Sequence, residues 1–188
     1  MKNILLALLL IFSHAVTAQS PIQNFTLVNV LDGTTVSLDS YTTAGVAIIF
    51  KSNACAYDGY YIERIKNMKL AYQGRIQFLL INSFQEGEES NDKMKAAYAN
   101  WSLDIPYLSD KDQIALNSLG AKKSPEVFLL KRVNGKYTAV YSGAIDDNPQ
   151  MATAVTHAYL KIAIDNLLAG QKIEVPAVRA VGCSIRKK

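Results

Sequence analysis

The two cysteines have the clearest chemical potential in this 188-residue chain. Cys55 follows a short apolar run and precedes the pattern of a helix. The dipole and free N–H groups of a helix N-terminus stabilise a thiolate, the form that attacks disulfides and peroxides. Residues 52–59 are mostly polar and atypical of a core, so we expect Cys55 to be a reactive thiol and not an inert buried one.

The residue three positions after Cys55 is Asp58, which excludes a Cys-x-x-Cys disulfide exchanger. The second cysteine, Cys183, lies near the C-terminus between Gly182 and Ser184. These neighbours favour a mobile, accessible tail from which Cys183 can reach an oxidised Cys55. A static structural disulfide and two thiols that never meet are the alternatives, because pairing depends on geometry that sequence separation does not give.

Other reactive groups are few. His157 sits in a helical pattern without an acidic residue placed to orient it, so we expect a helix residue and not a catalytic base. Residues 86–89 form an acidic cluster that we expect to be a solvated loop. With two Cys and two His in the whole chain, we expect no metal site and no cofactor.

The first 18 residues have the pattern of an export signal. Lys2 precedes an unbroken apolar run over residues 4–12, and Val16–Ala18 ends in the small residues that a signal peptidase recognises. The run is about half as long as a bilayer span, so we expect cleavage after Ala18 and no stable membrane anchor afterwards. The predicted location is periplasmic or extracellular, where cysteines can be oxidised.

The remaining residues, 19–188, have the composition of one globular domain with a basic C-terminal tail. The chain is 49% hydrophobic and 19% charged, with a net charge of +4, which excludes general disorder. Its basic residues are scattered and form no Arg-rich run, so we expect no nucleic-acid partner.

The elements that must position Cys55 form a parallel unit of strand, helix and strand. Residues 45–50 and 76–81 read as buried strands, and the helix between them carries its apolar residues at Tyr61, Ile65, Met68 and Tyr72. Further strands are predicted over residues 25–30, 35–38, 125–130 and 137–143, with Asn134-Gly135 as the turn between the last two. Helices are predicted over residues 91–101 and 112–119, and a last helix faces the core with Ala154, Val155, Ala158 and Ile162. This order predicts an α/β fold with a central mixed sheet flanked by helices.

Several short stretches, in order from Phe25 to Ile185, resemble the thioredoxin-like redoxin family. This is the group related to peroxiredoxins, alkyl hydroperoxide reductases and thiol-specific antioxidant proteins. The stretches are residues 50–55, 82–83, 107–110, 120–121, 124–128, 141–148 and 182–185. The resemblance implies a thioredoxin-like fold with Cys55 as nucleophile at the start of the first long helix. It also implies that Pro125 is a cis proline facing the cysteine loop. Because residue 58 is not a cysteine, the thiol that resolves an oxidised Cys55 is either Cys183 or an external thiol.

The sequence departs from the family pattern around the cysteine. Ala56 stands where a proline usually follows, and Ile48 stands where typical peroxiredoxins have a proline seven residues before the cysteine. Ser52 keeps the hydroxyl expected three residues before it. Part of the peroxide-activating pattern is therefore absent.

The candidate substrate groove consists of Ser52, Asn53, Pro125, Asp146 and Asp147. Residues 146–149 also fit an ordinary helix start, in which Asp or Asn accepts from the first N–H groups and a proline follows. The resemblance adds that this loop borders the Cys55 site, and the two roles are compatible.

The leading hypothesis is an exported thiol-dependent oxidoreductase, with an antioxidant or disulfide-exchange activity. Its substrate is a peroxide or a protein disulfide, and an external thiol is its reductant. The alternative is a non-catalytic thioredoxin-fold binding module that keeps the groove beside Pro125, since the Cys-x-x-Cys pair is absent.

Overall fold

The computed structural model describes residues 21–84 and 86–188, so the predicted export signal lies outside the described residues. The strands there are Thr26–Asn29 (β1), Thr35–Ser37 (β2), Gly45–Phe50 (β3), Ile76–Asn82 (β4), Tyr107–Ser109 (β5), Lys123–Ser124 (β6), Glu126–Val133 (β7), Lys136–Gly143 (β8), Ala177–Val178 (β9) and Cys183–Ser184 (β10). The helices are Ala56–Tyr60 (α1), Ile62–Ala71 (α2), Asn91–Tyr98 (α3), Ile114–Leu119 (α4) and Tyr159–Leu168 (α5). Within these ranges, no helix combines the length and apolar character needed to cross a bilayer.

One mixed sheet organises the fold. Its strand order is β2-β1-β5-β4-β3-β7-β8-β9, with β3 parallel to β4 and antiparallel to β7. Strands β6 and β10 form a separate antiparallel pair beside the sheet. The predicted α/β architecture with a central mixed sheet is confirmed.

Alternate residues of the central strands feed two hydrophobic layers, as the period of a strand requires. All six residues of β3 are buried. Ala47 and Ile49 join the layer that contains α2, α3 and α5, whereas Ile48 and Phe50 join the layer that contains α4 and β1. A strand buried on both faces needs a continuous apolar sequence, which is why residues 45–50 were identifiable.

The last helix begins later than its periodicity predicts. Helix α5 starts at Tyr159, because the preceding residues bond to the loop that follows β8. The Asp147 carboxylate accepts the Thr156 N–H at 3.0 Å, and the Asp147 N–H donates to the His157 carbonyl at 3.1 Å. The expected apolar face is therefore wrong: Ile162 is 48% exposed. The buried face is Leu160, Ala163, Ile164 and Leu167.

Strand β9 approaches β8 so closely that only glycine fits at the contact. Gly143 has a φ of +120°, and a Cβ there would overlap the backbone of Val178. Both the left-handed backbone and the missing Cβ are needed for β9 to pair with β8. This pairing leads the chain back toward β10.

We expect Gly143→Ala to lower the free energy of unfolding by about 2 kcal/mol or more, because it adds a backbone clash to the left-handed strain. Gly33→Ala is the matched control, since Gly33 also has a positive φ but has open space around it. Urea denaturation of both variants measures the difference. Equal losses at the two positions would show that the β8–β9 contact tolerates a side chain.

Candidate functional site

A disulfide joins Cys55 to Cys183 across a sequence separation of 128 residues, with Cα atoms 5.9 Å apart. The alternative of two thiols that never meet is therefore wrong. Cys183 lies on β10 and pairs in register with Ser124 of β6, so it is not in the irregular tail expected from the sequence. Chain-distant elements, the start of α1 and the last strand, form the site together.

Cys55 is the N-cap residue of α1, which continues through Tyr61 into α2. Its position at a helix start agrees with the prediction, but its surroundings do not. Cys55 is only 4% exposed, although the polar sequence around it predicted an accessible loop. The Ser124 carbonyl oxygen lies 3.2 Å from the Cys55 Sγ, and the bonded Cys183 covers it further.

The Ser124–Pro125 peptide bond is cis, as the resemblance implied. The residue before this proline contacts both cysteines: the Ser124 carbonyl lies against the Cys55 Sγ, and its backbone pairs with Cys183. The strand leading into Pro125 is thus the surface on which both cysteines converge.

Asp58 is buried and connects α1 to β6 through Ser124. Its Oδ2 accepts from the Ser124 Oγ at 2.6 Å and from the Ser52 N–H at 3.3 Å, and its Oδ1 lies 3.9 Å from the Lys51 Nζ. Burial raises the pKa of Asp58 to about 6 and lowers the pKa of Lys51. In the sequence, Asp58 served only to exclude a Cys-x-x-Cys disulfide exchanger. In the structure it is a buried, titratable group.

Glu89 organises the loop before Cys55, which the sequence did not reveal. The solvated loop predicted for the acidic cluster is wrong at this position, since Glu89 is 5% exposed. Its carboxylate accepts from the N–H groups of Asn53 at 2.8 Å and Ala54 at 3.0 Å, and also from Ser52 and Asn82. A local sequence pattern gives no signal for the contacts with residues 52–54, because that loop lies more than thirty residues away in the chain.

A cavity of about 320 Å³ opens beside the disulfide. Both cysteines line it, together with the candidate groove residue Ser52. Asn53 does not line this cavity, and its Oδ1 accepts from the Tyr107 Oη at 3.1 Å. In the described part of the chain, no group of three or more His, Cys, Asp or Glu side chains could hold a metal ion.

Asp146 and Asp147, which were also predicted to border the groove, make their contacts elsewhere. Asp146 accepts from the Tyr61 Oη at 3.1 Å and from the Arg64 Nη1 at 2.6 Å, so it ties its loop to α2. Asp147 binds Thr156, whose hydrogen bonds hold the pKa of this carboxyl well below its usual range. Neither residue lines the cavity beside the disulfide.

Two smaller expectations about this loop are corrected by the same contacts. Residues 146–149 do not cap the last helix, because α5 begins only at Tyr159. His157 does have an acidic neighbour, since its Nδ1 lies 3.4 Å from the Asp147 Oδ2. The His157 side chain is nevertheless largely exposed and belongs to the surface.

The sheet, the cis proline and the helix that starts at Cys55 form a thioredoxin-like fold with a disulfide between distant parts of the chain. No family model and no curated protein matches the sequence. An uncharacterized conserved protein from Geobacillus kaustophilus is similar in structure, with a TM-score of 0.81 and 28% identity over 90% of this chain and 92% of that chain.

Two other solved structures share the fold with lower similarity. A secreted Mycobacterium tuberculosis disulfide oxidoreductase, homologous to E. coli DsbE, has a TM-score of 0.58 and 13% identity over 75% of this chain and 94% of its own. Peroxidoxin BcpB from Mycobacterium tuberculosis has a TM-score of 0.58 and 15% identity over 80% of this chain and 96% of its own. These neighbours confirm the thioredoxin-like resemblance at the level of the fold.

We expect Glu89→Ala to lower the free energy of unfolding of the oxidised protein by about 2–4 kcal/mol, because the loop N–H groups lose a charged acceptor inside the protein. Glu88→Ala is the neighbouring control, since the Glu88 side chain is 72% exposed. Its expected loss is below about 0.5 kcal/mol. Similar losses in both variants would contradict the role assigned to Glu89.

The raised pKa of Asp58 predicts a pH dependence of stability. Its folded pKa of about 6 lies above the unfolded value, so its contribution is greatest at low pH and is lost as the pH rises through 6. Between about pH 5 and about pH 7.5, the stability of the parent relative to Asp58→Asn should fall by about 1 kcal/mol. Urea denaturation at both pH values measures this change, with the exposed Asp112 as the control in Asp112→Asn. If the difference in stability between the parent and Asp58→Asn is the same at both pH values, Asp58 does not titrate in this range.

Proposed function

We propose that this chain is an exported thiol–disulfide oxidoreductase whose redox couple is the Cys55–Cys183 pair. The observation that supports it most is the disulfide itself, which lies between a helix N-terminus and the strand before a cis proline. A helix N-terminus favours the thiolate of Cys55 once the bond is reduced. The adjoining cavity gives a substrate access to this end of the molecule.

The proposed cycle needs only the two cysteines and a substrate disulfide. The Cys55 thiolate attacks one substrate sulfur, forms a mixed disulfide and releases the other sulfur as a thiolate. The Cys183 thiolate then attacks the Cys55 Sγ and releases the second substrate thiolate. The substrate gains two electrons and the Cys55–Cys183 disulfide is restored. An external thiol returns the pair to the dithiol, and the same steps run backwards when the substrate is the better reductant.

A protein disulfide fits the site better than a peroxide as the substrate. Ile48 replaces a proline of the peroxide-activating pattern, and the retained Ser52 hydroxyl donates to Glu89. Reduction of a peroxide would proceed through a Cys55 sulfenic acid, which Cys183 would convert to the same disulfide with release of water. The two substrates are therefore distinguished by measurement of their rates and not by the final state of the protein.

Export is part of the proposal. It is supported by the signal pattern of residues 1–18 and by the structural similarity to a disulfide oxidoreductase described as secreted. An oxidising compartment would supply protein disulfides as substrates, and the pair would need a dedicated thiol reductant there.

We expect the Cys55–Cys183 couple to have a reduction potential between about −270 and about −120 mV, the range of exchange-active disulfides. Equilibration with glutathione buffers, followed by alkylation and mass spectrometry, measures it. With a dithiol reductant, the parent should reduce a model protein disulfide and Cys55→Ser should not. Cys183→Ser should accumulate the mixed disulfide, because the second step is blocked.

Three outcomes would contradict the proposal. A potential below about −300 mV without turnover would identify a structural disulfide. A faster reaction with hydrogen peroxide than with any protein disulfide would make the chain a peroxidase. An easily reduced pair that turns over neither substrate would favour the non-catalytic binding module.

A further inference from the structure

The last residues of the chain lie as an extended segment across several elements of the domain. Cys183 and Ser184 pair with Ser124 and Lys123 of β6. The next residue, Ile185, donates its N–H to the Lys122 carbonyl at 3.0 Å and packs its side chain against the second hydrophobic layer. Backbone pairing, one apolar anchor and an exposed hydrogen bond from the Lys123 Nζ to the Ser184 Oγ hold this part of the segment.

Gln113 holds the end of the same segment by its backbone. The Gln113 Nε2 donates to the Arg186 carbonyl at 2.8 Å, and its Oε1 accepts from the Lys188 N–H at 2.9 Å. The Gln113 side chain is buried and its Nε2 also donates to the Ser83 carbonyl at 3.1 Å, which fixes its orientation. An amide that contacts only backbone groups can hold an extended peptide of many sequences.

One position of the segment does have a strict requirement. A Cβ on Gly182 would overlap the Ser124 carbonyl oxygen and lie 2.7 Å from the Ser124 carbonyl carbon and 3.0 Å from the Pro125 nitrogen. These are backbone atoms of the strand beside the disulfide and cannot move aside as a flexible side chain would. Glycine is therefore required immediately before the cysteine that bonds to Cys55.

We propose that β6 and Gln113 form a binding track for an extended segment of a partner protein in which glycine directly precedes the reacting cysteine. The chain's own residues 182–188 are an internal occupant of this track in the oxidised state. The inference rests on the proposed function, because the partner's cysteine must exchange with Cys55. It adds that the fold selects the partner by the residue before its cysteine.

The exposure of side chains in residues 182–188 indicates that another extended peptide can replace this segment on the track. Ser184, Arg186 and Lys188 are exposed, so most of what the track contacts is backbone that another segment also offers. Only Ile185 adds a partly buried apolar side chain. Once the disulfide is reduced, the pairing with β6, the Ile185 anchor and the Gln113 clamp still hold the segment. Exposed side chains add three contacts at the surface: the Lys123 Nζ donates to the Ser184 Oγ at 3.0 Å, the Lys188 Nζ donates to the Lys111 carbonyl at 2.7 Å, and the Arg186 guanidinium lies 5.4 Å from the centre of the Phe84 ring. A partner present in excess can compete with so small a set of contacts.

The test uses the full-length, reduced Cys183→Ser variant and synthetic peptides of residues 180–188 activated as mixed disulfides with 2-thiopyridine. The Cys55 thiolate attacks the peptide sulfur, the Cys55–peptide disulfide forms, and the pyridine thiolate that leaves is followed by its absorbance. We expect a peptide carrying Gly182→Ala to react at least about tenfold more slowly than the natural peptide. A peptide carrying Ser184→Ala, changed at an exposed position, should react within about twofold of it.

A second comparison examines the amide clamp. Gln113→Ala in the Cys183→Ser background should slow the natural peptide several-fold but leave the reaction with free 2,2′-dithiodipyridine unchanged. The small reagent needs Cys55 but not the track, so it also shows that the variant keeps an intact thiol site.

The outcomes separate the inference from the proposed function. Equal rates for the natural and Gly182→Ala peptides, with Cys55 reactive toward the small reagent, would overturn the glycine requirement and leave the oxidoreductase proposal standing. If Gln113→Ala slows the reaction with the small reagent as much as the reaction with the natural peptide, the proposed track is refuted. A Cys55 that reacts with neither the peptides nor the small reagent would overturn both proposals.

Discussion

The disulfide between Cys55 and Cys183 is the constraint on which the arrangement of the site depends. It closes a loop of 128 residues, and in the chain-entropy model such a crosslink destabilises the unfolded chain by about 5 kcal/mol. A redox couple must nevertheless tolerate the loss of this bond in every cycle. The two hydrophobic layers on either side of β3 and β7 do not depend on it, because their members come from residues before the last strand, apart from the peripheral Ile185.

The buried charges around the disulfide are costly for a purely structural crosslink. Lys51, Asp58 and Glu89 are removed from water, and each requires hydrogen bonds or an opposite charge to offset its desolvation. Lys51 also lies 4.1 Å from the centre of the Trp101 ring. Hydrophobic side chains in these places would stabilise the fold at lower cost. Burial shifts the pKa of both Lys51 and Asp58, which agrees with the proposed thiol chemistry in this region.

The parts of the fold that the sequence made predictable are those encoded by local patterns. The apolar run of β3 and the Asn134-Gly135 turn between β7 and β8 are examples, because burial on both faces and tight-turn geometry each restrict residue type. The start of α5 was mispredicted because Asp147, a residue distant from that helix, takes the backbone groups of Thr156. Glu89 was missed for the same reason, since its burial depends on N–H groups of another loop.

The placement of the second cysteine has a consequence for how exchange would be completed. In a Cys-x-x-Cys exchanger both sulfur atoms belong to one helix, so the second thiol leaves the substrate strand undisturbed. Here Asp58 occupies that helical position, and Cys183 is bonded to Cys55 while β10 is paired with β6. In the proposed cycle, a bound partner segment and the tail would therefore compete for the Ser124 edge as well as for the same sulfur atom. Return of the tail would break the mixed disulfide and displace the partner's backbone in one event, which links product release to the chemical step.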